Sequence, residues 1–144
     1  MSVAARSSSL LGPAVVAGII GGILVDAYLA VVFKVSPVAL WTNVAATAIG
    51  PGTSPWIGAL VHFLISIVWA VLYAYIFSAL GQLRNWIVNA IVWGIVVDAA
   101  MQFIVVSKAG GSWWSAFANP SGLIAHIVFF ALPITFYIAR VARR

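Results

Sequence analysis

The sequence predicts an all-α integral membrane protein, a four-helix bundle built from two repeated transmembrane hairpins. Its 144 residues are 65% hydrophobic and only 6% charged, and the mean hydropathy is +1.17, a composition unlike that of soluble globular domains. Four apolar stretches exceed the roughly 18 residues that a spanning helix needs. The four stretches also form two pairs that carry the same polar residues in the same order.

The predicted spans lie near residues 13–33, 56–80, 86–106 and 122–141, within a single transmembrane domain covering residues 1–144. The repeat halves are therefore about 13–80 and 86–141. The first span follows Arg6 and resembles a signal peptide. Its apolar run of about 20 residues is long for a signal core, so we expect it to be retained.

The chain's only acidic side chains, Asp26 and Asp98, lie within the first and third spans. Each belongs to a hexapeptide Gly-Ile-x-Val-Asp-Ala, at residues 22–27 and 94–99. Because an acid inside a membrane is energetically costly, each is a candidate functional residue. The matching hexapeptides also predict that one hairpin duplicates the other.

The second and fourth spans each contain a glycine, three apolar residues, a histidine and, eleven residues later, a tyrosine. These residues are Gly58, His62 and Tyr73 in the second span, and Gly122, His126 and Tyr137 in the fourth. The chain has no other histidine. Both hairpins begin on the same side of the membrane, so the pattern predicts a parallel repeat about an axis along the membrane normal.

The connections between the spans of each hairpin predict short structures of their own. Ser36 is a favourable N-cap and Pro37 a favourable first residue for a short helix through Trp41, which glycines at residues 50–52 would end. A tryptophan-rich turn is expected at residues 112–117 in the second hairpin. Tryptophans suit the bilayer interface, so we expect interfacial anchors, with re-entrant loops or a gating lid as alternatives.

Helical rise places both acids and both histidines within the outer third to half of the bilayer. Small residues at intervals of four share their helix faces, and such faces are where membrane helices approach closely. The predicted packing residues are Gly18, Gly22, Gly58, Gly94 and Gly122. The predicted buried polar cluster is Asp26, His62, Asp98 and His126, surrounded by Ser66, Tyr73, Gln102 and Tyr137.

Intramembrane aspartate and histidine are the residue types of proton relays, so we predict a small polytopic protein that handles protons or cations in the bilayer. The alternative is an accessory or structural subunit whose Asp–His contacts only fix helix packing, at about 0.5–2 kcal/mol per contact. No nucleophile–base pairing, phosphate loop or metalloprotease spacing is present, so we do not expect an enzyme.

The sequence leaves the cofactor open. The two imidazoles and two carboxylates of the cluster could together ligate zinc, iron or manganese. Alternatively, His62 and His126 could be the axial ligands of a b-type haem. The absence of cysteine excludes disulfides and thiolate metal sites.

The basic residues separate by type along the chain. The arginines fall on one side of a four-span arrangement and the two lysines, Lys34 and Lys108, on the other. The positive-inside rule then places both termini in the cytoplasm. The cations are too few and too dispersed to bind nucleic acid, so the lipid bilayer is the expected partner. A homo-oligomer or a larger membrane complex remains open.

Three segments carry a resemblance to a known family: residues 62–73 with His62-Phe63, Ser66 and Leu72-Tyr73, residues 95–97, and residues 126–128 before the C-terminal arginines. In these the chain resembles the YagU-like small membrane proteins, from residue 60 onward. The resemblance implies a four-span bacterial inner-membrane protein with helix-borne histidines and a loose link to acid stress. The family pattern places a histidine near Val97, where this chain instead has Asp98 one residue later.

Overall fold

The computed structural model describes residues 10–109 and 120–143, which contain helices and turns but no strand. The helices are α1 (Leu11–Phe33), α2 (Pro37–Ala48), α3 (Pro55–Ala79), α4 (Trp86–Ala109) and α5 (Pro120–Val141). The predicted all-helical class is confirmed. The helices α1, α3, α4 and α5 are long and apolar enough to cross a membrane, so the chain is an integral membrane protein by length and composition.

The two helices of each hairpin pack against one another, α1 against α3 and α4 against α5. Helix α1 also contacts α5, and this contact joins the two hairpins. The largest fully buried side chains include Tyr73, Ile134, Ile138 and Val97. Many aliphatic and aromatic side chains remain exposed on the outer surface, as expected for helices that face lipid rather than water.

The glycines predicted to mediate helix packing lie at close helix contacts. A Cβ added at Gly18 would be 2.6 Å from the Cα of Ile67 in α3, and one at Gly94 would be 2.6 Å from the Cα of Ile127 in α5. Because both neighbours are backbone atoms, only glycine permits these approaches. Gly22 packs against the side chains of Phe63 and Ser66, which lie beside His62 on α3.

The predicted short helix is confirmed as α2. The Ser36 side chain accepts a 3.2 Å hydrogen bond from the Ala39 amide, and Pro37 is the first helical residue. Helix α2 packs along α3, and Gly58 of α3 lies directly beneath the carbonyl of Trp41. The predicted turn at residues 112–117 lies outside the described residues.

Helix α5 changes geometry along its length. It is α-helical over Pro120–Ile124, π-helical over Ala125–Ala131 and α-helical again over Leu132–Val141. Pro133 cannot donate a backbone hydrogen bond, and its ring crowds the preceding turn, so regular α-helical bonding cannot continue through it. The wider π-helical turns precede this point and contain His126.

The basic side chains among the described residues lie at two opposite ends of the bundle. Arg84 lies in the turn between α3 and α4, and Arg140 and Arg143 lie at the end of α5. Lys34 follows α1 and Lys108 occupies the last turn of α4. We call these the arginine end and the lysine end. The assignment of the arginine end to the cytoplasm remains a prediction.

Candidate functional site

Asp98 and His126 form the more buried of the two Asp–His pairs. Oδ1 of Asp98 lies 2.9 Å from Nδ1 of His126, and the Asp98 residue is fully buried. The same Nδ1 lies 3.0 Å from the carbonyl of Gly122, one turn earlier in α5. Because a carboxylate and a carbonyl both accept, the geometry fits an Nδ1–H shared between them. This second pair therefore connects α4 with α5.

Asp26 and His62 form the first pair, which connects α1 with α3. Oδ1 of Asp26 lies 3.3 Å from Nε2 of His62, and this nitrogen is 3.2 Å from the carbonyl of Gly22. The indole Nε1 of Trp41 donates a 2.8 Å hydrogen bond to the other oxygen, Oδ2. Asp26 is thus contacted by a histidine and by a donor from α2.

The two pairs join equivalent residues but differ in detail. His62 uses Nε2 and His126 uses Nδ1, so the imidazole rings are oriented differently. Oδ2 of Asp26 is bonded to Trp41, whereas Oδ2 of Asp98 is buried with no hydrogen-bond partner among the residues described. An unsatisfied buried acceptor is costly, so Asp98 depends more strongly on its histidine than Asp26 does.

Both histidines line one small cavity between the four long helices. Its volume is about 50 Å³, and since about 10–15 Å³ suffices for one water molecule, it has room for a few. All four long helices contribute to its wall. The lining side chains are Val25, His62, Ile65, Ser66, Trp69, Val97, Met101, His126 and Phe130. The structure therefore places the histidine of each pair on the wall of one shared cavity.

This arrangement bears on the cofactors left open by the sequence. Within residues 10–109 and 120–143, no three histidine or acidic side chains lie close enough to hold one metal ion, so the four predicted ligands do not form a single set. Pockets for ligands the size of a cofactor have volumes of about 300–1,000 Å³. The cavity between the two histidines is too small for a haem macrocycle.

The polar residues predicted to surround the cluster divide into two groups. Ser66 lines the cavity, and Gln102 lies one turn beyond Asp98 against Gly122. Tyr73 and Tyr137 lie about 16 Å along their helices from the histidines, so neither contacts the pairs. Tyr137 packs against the hydrophobic core.

Tyr73 instead belongs to a second buried polar region that the sequence did not single out. Its hydroxyl accepts a 3.1 Å hydrogen bond from Asn89 of α4, whose amide also donates to the Gln82 carbonyl at 2.7 Å. Nearby Trp93 has a buried Nε1 with no hydrogen-bond partner in the described part of the chain. Trp93 contacts Trp69, a cavity residue, edge to face at 5.6 Å.

We call Trp69, Tyr73, Asn89 and Trp93 the α3–α4 seam. It extends from the histidine cavity towards the arginine end and finishes at Gln82, in the turn that precedes α4. The signal that could have identified it was the presence of Asn89 inside an apolar span.

Comparison of the chain with protein-family models, curated proteins and solved structures finds no match.

Proposed function

We propose that this membrane protein handles protons within the bilayer and uses the two Asp–His pairs as exchangeable proton sites. The observation that carries the proposal is that both histidines, each bound to an aspartate of its own hairpin, line the same cavity. Intramembrane histidine and aspartate are the residue types of proton relays. Water in the cavity would carry a proton from one imidazole to the other.

The charge of each pair supports this chemistry. With a neutral imidazole, a pair carries the single negative charge of its carboxylate, while an added proton makes it a neutral ion pair. Apolar surroundings tolerate a compact ion pair better than an isolated charge. Each pair could therefore hold one added proton, and the cavity lined by both histidines would let water pass it from one pair to the other.

The α3–α4 seam would orient water molecules along a route from the cavity towards the arginine end, since the Asn89 amide donates in both of its hydrogen bonds and cannot itself relay a proton. Its polar groups follow one another from Trp93 through the Tyr73–Asn89 hydrogen bond to Gln82. Buried polar groups without a protein partner are common positions for ordered water. A water bound at Trp93 Nε1 would connect the cavity with the Tyr73 hydroxyl. The link to acid stress implied by the YagU-like resemblance fits a role with protons.

We also propose that the hairpins are duplicated copies. Each has an Asp–His pair between its two helices, and the glycine four residues before each aspartate packs against the residue after the histidine, Phe63 or Ile127. The sequence repeats a further spacing, since a tryptophan follows each aspartate by fifteen residues, at positions 41 and 113.

The cytoplasmic orientation of the arginine end belongs to this proposal, and the lack of native cysteine makes it easy to test. A single cysteine at Gln82 should be labelled by a membrane-impermeant maleimide only after the cells are opened, whereas one at Thr53 should be labelled in intact cells. The reverse pattern would contradict the orientation.

A structural role is the second candidate, and a specific observation favours it. Each pair joins the two helices of one hairpin, as expected for polar contacts that fix helix pairing at about 0.5–2 kcal/mol each. In that case the cavity would be incidental, and conservative changes in the pairs would alter stability alone.

Proton flux in proteoliposomes separates the two candidates. The protein is reconstituted with a pH-sensitive dye inside, and decay of an imposed pH gradient is followed for the wild type, Asp26→Asn and Asp98→Asn. Ser107→Ala, an exposed polar change at the end of α4, is the control. Proton handling predicts faster decay than in empty liposomes, abolished by either Asn variant but not by the control. The proposal would be rejected if the wild type dissipated the pH gradient no faster than empty liposomes do. It would also be rejected if the wild type were faster but both Asn variants, still folded, dissipated the gradient at the wild-type rate.

A further inference from the structure

A second cavity opens at the arginine end of the bundle. It lies between the first residue of α4 and the last turns of α5, with a volume of about 380 Å³. Trp86, Phe136, Arg140 and Arg143 line it. Two cationic and two aromatic side chains therefore face one space at a boundary between spanning helices and their flanking turns.

The aromatic residues hold one of the cations in place. The guanidinium of Arg140 lies 5.8 Å from the centre of the Phe136 ring, within the range of a cation–π contact. The Trp86 ring packs edge to face on Phe136 at 5.1 Å. Arg140 is thus supported by an aromatic ring within the pocket, and Arg143 provides a second guanidinium.

The chain supplies no acidic side chain to neutralise these arginines. Its only two, Asp26 and Asp98, are occupied with histidines in the half of the bundle nearer the lysine end. Guanidinium groups bind phosphate oxygens through strong, often bidentate, charge-assisted hydrogen bonds. The charge in this pocket therefore fits an external anion, and phosphate in particular.

The surface next to the pocket is apolar. Ile87 and Val88 of α4 are 55% and 62% exposed, and Phe136 of α5 is 42% exposed. A ligand whose phosphate reached the arginines could lay hydrocarbon chains along these side chains. Basic pockets between spanning helices are known positions for anionic headgroups.

We propose that this pocket binds the headgroup of an anionic phospholipid, with phosphate at Arg140 and Arg143 and acyl chains against α4 and α5. The site is independent of the Asp–His pairs and of the proposed proton function. The proposed site gives Arg140 and Arg143 a role that is separate from packing of the hydrophobic core.

Thermal unfolding in detergent tests the site with phosphatidylglycerol, phosphatidylcholine or inorganic phosphate added separately. Phosphatidylglycerol should raise the Tm of the wild type by several degrees more than phosphatidylcholine, and the double variant Arg140→Gln, Arg143→Gln should lose this difference. Arg84→Gln, which removes an arginine at the same end outside the pocket, should retain it.

Four outcomes would overturn the proposal. Equal shifts with both lipids would show no preference for an anionic headgroup. If the double variant kept the full preference for phosphatidylglycerol, this pocket would not be what attracts the lipid. If Arg84→Gln lost as much of that preference as the double variant, net charge rather than this pocket would attract the lipid. A shift with inorganic phosphate as large as with phosphatidylglycerol would identify a free-anion site. Native mass spectrometry of bound lipid should show a several-fold loss of retained phosphatidylglycerol in the double variant alone.

Discussion

The indole of Trp41 donates a 2.8 Å hydrogen bond to Oδ2 of Asp26, and this bond connects the short helix α2 with the first Asp–His pair. Helix α2 is therefore more than an interfacial anchor, because one of its side chains contacts a buried acid directly. The bond leaves Oδ1 of Asp26 for His62. Asp26 consequently has a hydrogen-bond donor at Oδ2, and the His62 imidazole lies 3.3 Å from Oδ1.

Replacing Trp41 with Phe should weaken the attachment of α2 to the bundle. The change keeps an aromatic ring but removes the donor, and a hydrogen bond to a charged group contributes about 1.5–3 kcal/mol. We expect a lower unfolding midpoint in detergent. Trp56→Phe is the matched control, because Trp56 contacts the Trp41 ring at 5.6 Å but is 67% exposed. Equal loss of stability in both variants would show that ring packing dominates.

Removing His126 should destabilise the protein more than removing His62. His126→Ala leaves a fully buried carboxylate without a partner among the described residues, and such a loss costs about 3–5 kcal/mol. His62→Ala leaves Asp26 bonded to Trp41. Chemical denaturation in detergent should rank the two variants in this order.

A second substitution tests the physical reason for that ranking. Asp98→Asn in the His126→Ala background removes the unpaired charge and should recover part of the lost stability. Asp26→Asn in the His62→Ala background should recover less, because Asp26 keeps its indole donor. Equal recovery in both backgrounds would contradict the asymmetry between the pairs.

The nearness of the acids to the histidines could be expected because helical rise gives them a common depth, although the sequence predicted one four-residue cluster rather than two pairs. Helical periodicity likewise placed the small residues on the faces of close helix contact. The bond between Trp41 and Asp26 could not be predicted, since it depends on where α2 folds back across α3. The use of different imidazole nitrogens in the two pairs also escaped prediction. The nitrogen that each histidine uses depends on the orientation of its ring, and His126 lies in a π-helical segment that no local sequence pattern predicts.

Alanine at Gly18 or Gly94 should separate the helices of the corresponding hairpin. The added Cβ would lie 2.6 Å from a Cα atom of α3 or α5, and backbone at that distance cannot rotate away. Overpacking of this kind costs about 1–3 kcal/mol. Gly12→Ala is the control, because its Cβ would meet nothing within 4 Å and alanine favours helix by up to about 1 kcal/mol. If both variants were as stable as Gly12→Ala, the close approach of the helix backbones at Gly18 and Gly94 would be refuted.

The last prediction concerns the α3–α4 seam and rests on the proposed proton function. Tyr73→Phe keeps the buried ring but removes the hydroxyl that accepts from Asn89. If protons pass along the seam, flux in proteoliposomes should fall several-fold while both Asp–His pairs remain intact. The loss of one hydrogen bond should lower the free energy of unfolding by only about 0.5–1.5 kcal/mol.

Tyr75→Phe provides the control, because Tyr75 lies on the same helix but is 36% exposed on its outer surface. It removes the same chemical group without touching the seam, so its flux should match that of the wild type. If flux through Tyr73→Phe also equals the wild-type value while Asp98→Asn abolishes it, protons leave the cavity by another route. The pairs would then remain proton sites, and the hydrogen bond between Tyr73 and Asn89 would serve only to hold α3 against α4.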